Sequence, residues 1–280
     1  MINNNLKRIF TMGGKFDTRN YTVHDIIEQK GDKKLCQILV GTVEEAVAAE
    51  EAGIDMVIVG VSNPYPEIRK AIPKTFMTVA LSASVCHTLE EAVRQSYKIM
   101  SLGADAIMCS SWNKNYIKSL SEFGFPLMGH AGLVPRHSTW TGGLKPVGKT
   151  LQQAQKVYNS IKELEDAGVF AVEIEVIPEK LLAEITKRTS LVTISLGSGR
   201  AGDVHFLFAE DILGENKEML PRHAKAYRKF HEIREKMQNE RISAFKEFRK
   251  EVYSGIFPQD KNIVDMDDDI INEFIEKIDK

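Results

Sequence analysis

The sequence predicts an α/β fold of the (βα)8 TIM-barrel type, in which eight parallel strands alternate with helices. Its 280 residues are a normal length for one such barrel. Eight short segments are almost continuously apolar, as parallel strands that are buried on both faces require. Three helix-like segments end in the same way, with a glycine followed directly by the next apolar segment. Together these observations favour one barrel over two smaller domains.

The chain is expected to divide into three parts. Residues 1–33 form an N-terminal arm with a helix near Val23–Gln29, and residues 34–222 form the barrel body. Residues 223–280 form C-terminal helices that complete the barrel and contribute to an oligomer interface. The eight predicted strands are Leu35–Val40, Met56–Gly60, Phe76–Leu81, Ala106–Cys109, Pro126–Gly132, Val172–Ile177, Leu191–Leu196 and Val204–Phe208.

Local sequence signals justify the helices between these strands. Thr42 is placed to cap the first barrel helix, with Glu45 three residues later completing a capping box. The glycines of Ala52–Asp55, Leu102–Asp105 and Ala167–Phe170 each end a helix, because glycine accepts the left-handed conformation that terminates it. The other predicted helices cover Leu89–Leu102, Tyr116–Phe123, Leu151–Ala167 and Pro178–Arg188.

The C-terminal extension reads as one long charged helix from His223 to Gly255. Phe245, Phe248 and Val252 are spaced i, i+3 and i+7, which gives this helix an apolar stripe. Such a stripe favours contact with a second subunit, although a solvated pair of terminal helices fits the same pattern. The acidic tail that starts at Asp265 resembles a calcium loop, but Ile270 stands where the sharp turn requires glycine. The tail is therefore interpreted as an acidic helix start.

Composition excludes several classes of function. The formal net charge of -2 argues against a nucleic-acid partner. The chain has 3 cysteines, an odd and unclustered set that indicates neither a disulfide framework nor a zinc site. The N-terminus lacks the apolar run of a signal peptide, and no segment is apolar over the length of a bilayer. We therefore expect a cytoplasmic protein without a membrane partner.

Three ionisable residues are candidates for chemistry inside the barrel. His130 lies near the carboxyl end of the apolar strand Pro126–Gly132. Barrel enzymes carry out their chemistry at the carboxyl ends of their strands. Alternation along Val172–Ile177 turns Glu173 and Glu175 into the barrel interior. Glu175 lies nearer the carboxyl end and is the better candidate for a general base. The alternatives are a structural core histidine and glutamates that are paired with Lys or Arg across the barrel floor.

Two further motifs leave their function open. Gly197–Gly202 fits the pattern Gly-x-Gly-x-x-Gly after a strand, but a strand follows where a dinucleotide-binding motif needs a helix. An anion-binding loop for a carboxylate or phosphate and a plain turn both remain possible. Ser110 and Ser111 follow Cys109 at the end of the fourth predicted strand, and no histidine lies near them in sequence. A covalent mechanism therefore has little support.

Several motifs together resemble the ketopantoate hydroxymethyltransferase family, and their order along the chain is kept. The resemblance covers nearly the whole chain and implies a (βα)8 barrel of the phosphoenolpyruvate mutase and isocitrate lyase superfamily. It also implies large assemblies, a small 2-oxo acid substrate, Mg²⁺, and methylenetetrahydrofolate as the hydroxymethyl donor. The motifs are Thr22–Ile26, Met128–Pro135, Gly142–Lys149, Ile174–Pro178, Gly197–Gly199 with Asp203, Ala209–Gly214 and Ser254–Pro258.

The resemblance assigns roles to individual residues. Glu175 falls on the catalytic glutamate of the family and His130 on its active-site histidine. Ser62 falls on the serine that contacts the substrate carboxylate. The full set of candidate substrate-binding residues is Ser62, Ser110, Gly197, Gly199 and Lys145.

The chain departs from the family at the metal position. Val61 and Ala80 stand where the family has metal-binding aspartates, and Met108-Cys109-Ser110 replaces a Lys-x-Glu motif. Because aliphatic side chains cannot ligate Mg²⁺, we expect no metal at this position and infer no cofactor for the chain. The first hypothesis is an enzyme that makes or breaks a C–C bond next to the carbonyl of a 2-oxo acid. The alternatives are a metal-independent lyase or hydrolase of a small organic acid, and a non-catalytic binding or structural member of the family.

Overall fold

The computed structural model describes residues 6–81, 85–109 and 113–279 and confirms the barrel. Eight parallel strands close on themselves in the order β10-β3-β4-β5-β6-β7-β8-β9. All eight coincide with predicted strands to within two residues at each end. They are β3 (Leu35–Leu39), β4 (Met56–Gly60), β5 (Phe76–Ala80), β6 (Ala106–Met108), β7 (Leu127–Gly132), β8 (Ala171–Glu175), β9 (Val192–Leu196) and β10 (Val204–Phe208).

Helices alternate with the barrel strands except between β9 and β10, which a short loop joins directly. Thr42 caps its helix as predicted, but the Glu45 carboxylate accepts the N–H of Gly41 instead of closing a capping box on Thr42. The helices of residues 1–228 are α1 (Val23–Glu28), α2 (Val43–Glu51), α3 (Tyr65–Ala71), α4 (Leu89–Ser101), α5 (Lys114–Glu122), α6 (Ser138–Thr141), α7 (Leu151–Asp166), α8 (Glu179–Thr186) and α9 (Ala209–Leu213).

The arm is more structured than its composition suggests. Besides α1 it forms an antiparallel hairpin of β1 (Lys7–Phe10) and β2 (Phe16–Arg19), which the sequence did not predict. Arg19 at the end of this hairpin is 1 % exposed and pairs with Asp105, just before β6, at 2.7 Å. Arg69 of α3 pairs with the other oxygen of Asp105 at 3.1 Å. The hairpin is thereby tied to the amino ends of the strands.

Two apolar clusters form the core of the barrel. One lies between strands and helices and contains Val172 and Ile174 of β8. The other fills the barrel interior and contains Met56, Met128 and Ile194. The helix-facing positions of Val172 and Ile174 confirm the alternation predicted for β8, so Glu173 and Glu175 point inward.

The chain forms two compact units, Met1–Arg228 and Lys229–Lys280. The second unit contains α10 (Phe230–Ser254) and α11 (Asp268–Ile278). The predicted long helix was wrong at its start, because residues 223–229 form turns in which Tyr227 donates its backbone N–H to the Ile212 carbonyl. The acidic tail begins a helix as predicted, with Asp267 as its N-cap. None of the described helices combines the length and the apolar character that crossing a membrane would require.

Candidate active site

His130, Glu173 and Glu175 lie together inside the barrel. Strands β7 and β8 pair in a register that sets His130 beside Glu173 and Gly132 beside Glu175. His130 Nε2 lies 3.1 Å from a carboxylate oxygen of Glu175 and 3.8 Å from one of Glu173. The side chains of His130 and Glu173 are 4% and 6% exposed, whereas that of Glu175 is 14% exposed. Glu175 is therefore the most accessible carboxylate of the cluster, at the carboxyl ends of the strands.

The backbone at the end of β8 is held in a strained conformation. Val176, directly after Glu175, has φ +48°, a left-handed value that β-branched residues rarely adopt. Its N–H donates to the Leu196 carbonyl at 2.8 Å, and its carbonyl accepts the N–H of Val147 at 3.2 Å. These bonds from neighbouring segments hold the strained residue in place. Backbone strain of this kind is often found at functional sites, and here it adjoins the candidate base.

Burial and mutual charge perturb two of the three groups. Burial alone would lower the pKa of His130, but the carboxylates of Glu173 and Glu175 outweigh this effect and raise it. Burial raises the pKa of Glu173 to about 7; the imidazolium of His130 opposes this increase and Glu175 adds to it. The raised pKa values favour a protonated imidazole at His130 and a protonated carboxyl at Glu173 within the same cluster. This arrangement places a proton acceptor and a cationic hydrogen-bond donor side by side.

The contacts of Glu173 and Glu175 differ from those of a structural ion pair. Neither Glu173 nor Glu175 forms an ion pair with a Lys or Arg in the described parts of the chain; both face His130. Glu173 also accepts no hydrogen bond from a described residue. An unbonded buried carboxyl costs stability, so this cluster is more typical of a functional site than of a structural ion pair.

Of the other predicted site residues, Ser62 shares this end of the barrel with the cluster. Ser62 is exposed in the turn after β4, at the carboxyl ends of the strands and therefore on the same rim as Glu175. Ser110 lies outside the described residues. Lys145 lines a cavity of about 490 Å³ in the loop that follows β7.

Gly197 and Gly199 line a different cavity, of about 430 Å³, beside β9 and β10. Arg200, Arg222 and His223 also line it, and neither His130 nor Glu175 does. Its cationic character is compatible with the predicted anion-binding loop. The loop itself adjoins the end of β8, since Ser198 Oγ accepts the N–H of Ile177 and donates to the Ile174 carbonyl, on either side of Glu175 in the chain.

The donor set does not fit the Mg²⁺ of the family. Val61 packs against the helix-facing apolar cluster and Ala80 against the interior one, and neither side chain has an oxygen. The described residues contain one group of metal-binding side chains, His130, Glu173 and Glu175, whose ligand atoms lie within 4.8 Å of one another. Its histidine nitrogen suits a transition metal better than Mg²⁺, which takes oxygen ligands.

Sequence reasoning underestimated two features of the site. Glu173 was ranked below Glu175, yet it completes the cluster because the β7–β8 register places it beside His130. Alternation had placed it inward, but no sequence signal gives a register between strands. The left-handed conformation of Val176 was also missed, since nothing in a valine residue predicts it.

The fold and the site together define the class of protein. It is a (βα)8 barrel whose histidine–carboxylate cluster, at the carboxyl ends of the strands, suits acid–base chemistry. Residues 63–260 match the sequence pattern of ketopantoate hydroxymethyltransferase. The chain belongs to this family, whose members named below are transferases.

Curated relatives extend the match to most of the chain. The 3-methyl-2-oxobutanoate hydroxymethyltransferase of Kosmotoga olearia is 32% identical, over 86% of this chain and 96% of its own length. The enzymes of the same name from Thermotoga neapolitana and Staphylothermus marinus are each 31% identical, over 86% and 87% of this chain and 95% and 96% of their own lengths. The similarity is thus spread over most of the chain and is not confined to one motif.

A solved structure supports the fold. A proposed phosphonomutase from Burkholderia cenocepacia superposes with a TM-score of 0.52 at 10% identity, covering 80% of this chain and 99% of its own. At this identity the match concerns the barrel fold alone.

Proposed function

We propose that this protein makes or breaks a C–C bond next to the carbonyl of a small 2-oxo acid, in the manner of a hydroxymethyltransferase. The observation that carries the proposal is the buried contact of 3.1 Å between His130 and Glu175 at the carboxyl end of the barrel. Family membership supports the reaction class. The names of the relatives make 3-methyl-2-oxobutanoate the first substrate to test.

The chemistry begins with a proton transfer to Glu175. Its carboxylate takes the proton from the carbon next to the keto group, and the electron pair of that C–H bond moves towards the keto oxygen. The His130 imidazolium then donates a hydrogen bond to this oxygen, where negative charge develops. The net charge of the site is unchanged, because Glu175 becomes neutral as the enolate becomes negative. In this scheme His130 takes over the charge stabilisation that Mg²⁺ supplies in the family.

The enolate carbon is then the nucleophile for C–C bond formation. Methylenetetrahydrofolate, the donor that the resemblance implies, supplies a one-carbon unit at the oxidation level of formaldehyde when it is bound. In the reverse direction Glu175 takes the proton of the hydroxymethyl O–H as the C–C bond breaks and formaldehyde leaves. It then returns this proton to the enolate carbon, while His130 stabilises the enolate oxygen. Both directions need Glu175 at the mouth of the barrel, where it is accessible to a small acid.

Hydrogen–deuterium exchange tests the first step without a donor. 3-Methyl-2-oxobutanoate is incubated with the protein in D2O and EDTA, and loss of the C3–H signal is followed by proton NMR. Glu175→Gln keeps the shape of the side chain but removes the base, so the exchange rate should fall about 10²- to 10⁴-fold. The matched control is Glu184→Gln, on the exposed face of α8, which should exchange at the wild-type rate.

Three outcomes of this experiment would contradict the proposal. Equal exchange in wild type and Glu175→Gln would remove the base assignment. Exchange that EDTA abolishes and Mg²⁺ restores would show that the enolate is stabilised by a metal and not by His130. Absence of exchange in the wild type, together with a more stable Glu175→Gln variant, would favour the non-catalytic binding protein.

A further inference from the structure

Part of the glycine motif Gly197–Gly202 lines a cavity of about 430 Å³ on the outer side of β9 and β10. Ser195 and His205 are register partners on these strands, and both line the cavity. They face away from the barrel interior, because the alternate residues Ile194 and Phe206 belong to the interior cluster. No helix connects β9 to β10, which leaves room outside these two strands. The size of the cavity suits a small-molecule ligand.

The ionisable groups that line this cavity are all basic. Arg200, Arg222, His205 and His223 line it, and none of the described Asp or Glu residues does. The side chain of Arg222 forms no ion pair or hydrogen bond within the described parts of the chain. Two guanidinium groups beside one cavity favour an anion, and their planar sets of N–H donors match the oxygens of a phosphate group.

The loop adds backbone donors to these side chains. Gly197 and Gly199 have φ values of +67° and +96°, and left-handed residues of this kind turn backbone N–H groups into a concave, anion-binding surface. The N–H groups of both glycines have no acceptor within the described parts of the chain. A Cβ atom at position 197 would lie 2.8 Å from the His223 ring, so only glycine lets this ring pack against the loop.

A carboxylate of the chain itself occupies two other donors of the loop. Glu179 accepts from the backbone N–H of Arg200 at 3.3 Å and from its Nε at 3.2 Å. The Arg200 side chain is 90% exposed and that of Glu179 is 47% exposed, so the pair contributes little to stability. A multiply charged anion in the cavity therefore replaces Glu179 on Arg200 at little cost.

The same loop holds the backbone on both sides of the candidate base. Ser198 is 1% exposed, and its Oγ accepts the Ile177 N–H at 3.0 Å and donates to the Ile174 carbonyl at 2.8 Å. Glu175 and the strained residue after it lie between these two bonds in the chain. A ligand that fixes the loop therefore also fixes the backbone that carries Glu175.

We propose that this cavity is an effector site for a small phosphate-bearing anion, which is held by the two arginines and by the N–H groups of Gly197 and Gly199. Binding orders the loop and, through Ser198, the backbone of Glu175, and so increases the rate of proton abstraction. The anion and the 2-oxo acid occupy separate sites and bind at the same time. The binding is independent of the proposed function, whereas the effect on the rate rests on it.

Isothermal titration calorimetry with inorganic pyrophosphate, in EDTA, tests the binding. Arg222→Gln should weaken it about tenfold, because hydrogen bonds to a charged group are lost. Glu179→Gln should instead tighten it about threefold, because Arg200 is released from a competing carboxylate. The matched control is Arg228→Gln, an exposed arginine of the same segment that does not line the cavity and should bind as the wild type does.

The effect on the active site is measured by C3–H exchange of 3-methyl-2-oxobutanoate in D2O, with and without saturating pyrophosphate. The anion should raise the wild-type rate about fivefold, at the low end of the usual range of coupling between sites. Ser198→Ala should still bind pyrophosphate but lose this increase, because the hydroxyl joins the loop to the end of β8. Equal wild-type rates with and without the anion would overturn the effector role.

The remaining outcomes separate the site from the proposed function. If the wild type does not bind pyrophosphate, or Arg222→Gln binds it equally well, the inference is wrong whatever the exchange rate. Displacement of pyrophosphate by 3-methyl-2-oxobutanoate would show one shared site and would also overturn it. Succinate that binds as tightly as pyrophosphate would overturn the assignment to phosphate. Binding that depends on Arg222, in a protein without C3–H exchange, would support the site and overturn the proposed function.

Discussion

Glu173 has the most unusual environment of the three residues in the candidate active site. It is 5% exposed, contacts His130 at 3.8 Å, and accepts no hydrogen bond from a described residue. Such a carboxyl is retained at a cost in stability, since its ionised form loses hydration that nothing replaces. A proton on Glu173 reduces this loss of stability, because the buried cluster then carries one negative charge fewer beside the charged His130.

The pH dependence of stability follows from this environment. The pKa of Glu173 rises from 4.5 to about 7 on folding, so the folded state holds the proton more tightly than the unfolded state. Its destabilising effect is therefore absent below about pH 4.5 and grows until about pH 7. The raised pKa of His130 acts in the same direction, since its stabilising contribution is lost as the pH rises through the folded-state value.

Glu173→Gln should remove most of this dependence. Relative to the wild type, the variant should gain up to about 3 kcal/mol more in the free energy of unfolding at pH 8 than at pH 5, from a shift of roughly 2–3 pKa units. Urea denaturation at both pH values measures the change. Glu184→Gln, outside the site, provides the control. The same slope with pH in wild type and Glu173→Gln would show that the buried carboxyl is already ionised at pH 5.

At the scale of elements, Asp203 joins the last two barrel strands to the N-terminal arm. It lies directly before β10 and accepts hydrogen bonds from the N–H and hydroxyl of Thr193 in β9, at 2.9 and 2.8 Å. Its carboxylate also accepts from Lys30 Nζ and from the N–H of Gly31, both at 3.1 Å. Burial would raise the pKa of Asp203, but these donors outweigh it and lower it. The carboxylate thus holds together three segments where no helix separates β9 from β10.

Asp203→Ala should be strongly destabilising, because it leaves the buried N–H of Thr193 without its acceptor and removes the carboxylate that pairs with Lys30. The expected loss is on the order of 3 kcal/mol, as for other removals of one partner from a buried charged pair. Thermal and urea denaturation measure it. Asp32→Ala is the matched control on the exposed surface, where a change within about 0.5 kcal/mol is expected. A loss in Asp203→Ala no larger than in this control would mean that the arm is held by other contacts.

At the scale of the whole molecule, the second compact unit has an exposed apolar surface. Helix α10 extends over 25 residues and α11 over 11, and neither contains a buried residue. Phe245 is 72% exposed and Phe248 55% exposed, on the stripe that the sequence had indicated. Exposed apolar patches of this kind mark interaction sites, and we propose that a second copy of the chain covers them.

Phe245→Gln should therefore reduce the assembly state. Light scattering of the full-length chain should give a mass above that of one subunit, and Phe245→Gln should shift it to a smaller assembly at the same protein concentration. Lys246→Gln, one residue away and also exposed, should leave the mass unchanged. If all three proteins have the mass of a single subunit, the proposal is wrong.

The sequence by itself determined the architecture and the identity of the central residues. Strongly apolar strands and glycine helix ends located all eight barrel strands, because burial on both faces leaves an unambiguous pattern. Alternation along β8 also turned Glu173 and Glu175 inward, which the helix-facing positions of Val172 and Ile174 confirm. Family motifs then singled out Glu175 and His130.

Only the tertiary structure decided how these residues meet. The β7–β8 register, which depends on packing around the whole barrel, brought Glu173 beside His130, and the two carboxylates raise the pKa of this histidine against the effect of its burial. It also separated residues that motif reasoning had grouped, since Lys145 and Gly197 line different cavities. The start of α10 was missed because a long-range bond from Tyr227 to Ile212 competes with local helix propensity. Residue patterns encode which face is buried, whereas distances between strand ends arise only when the barrel closes.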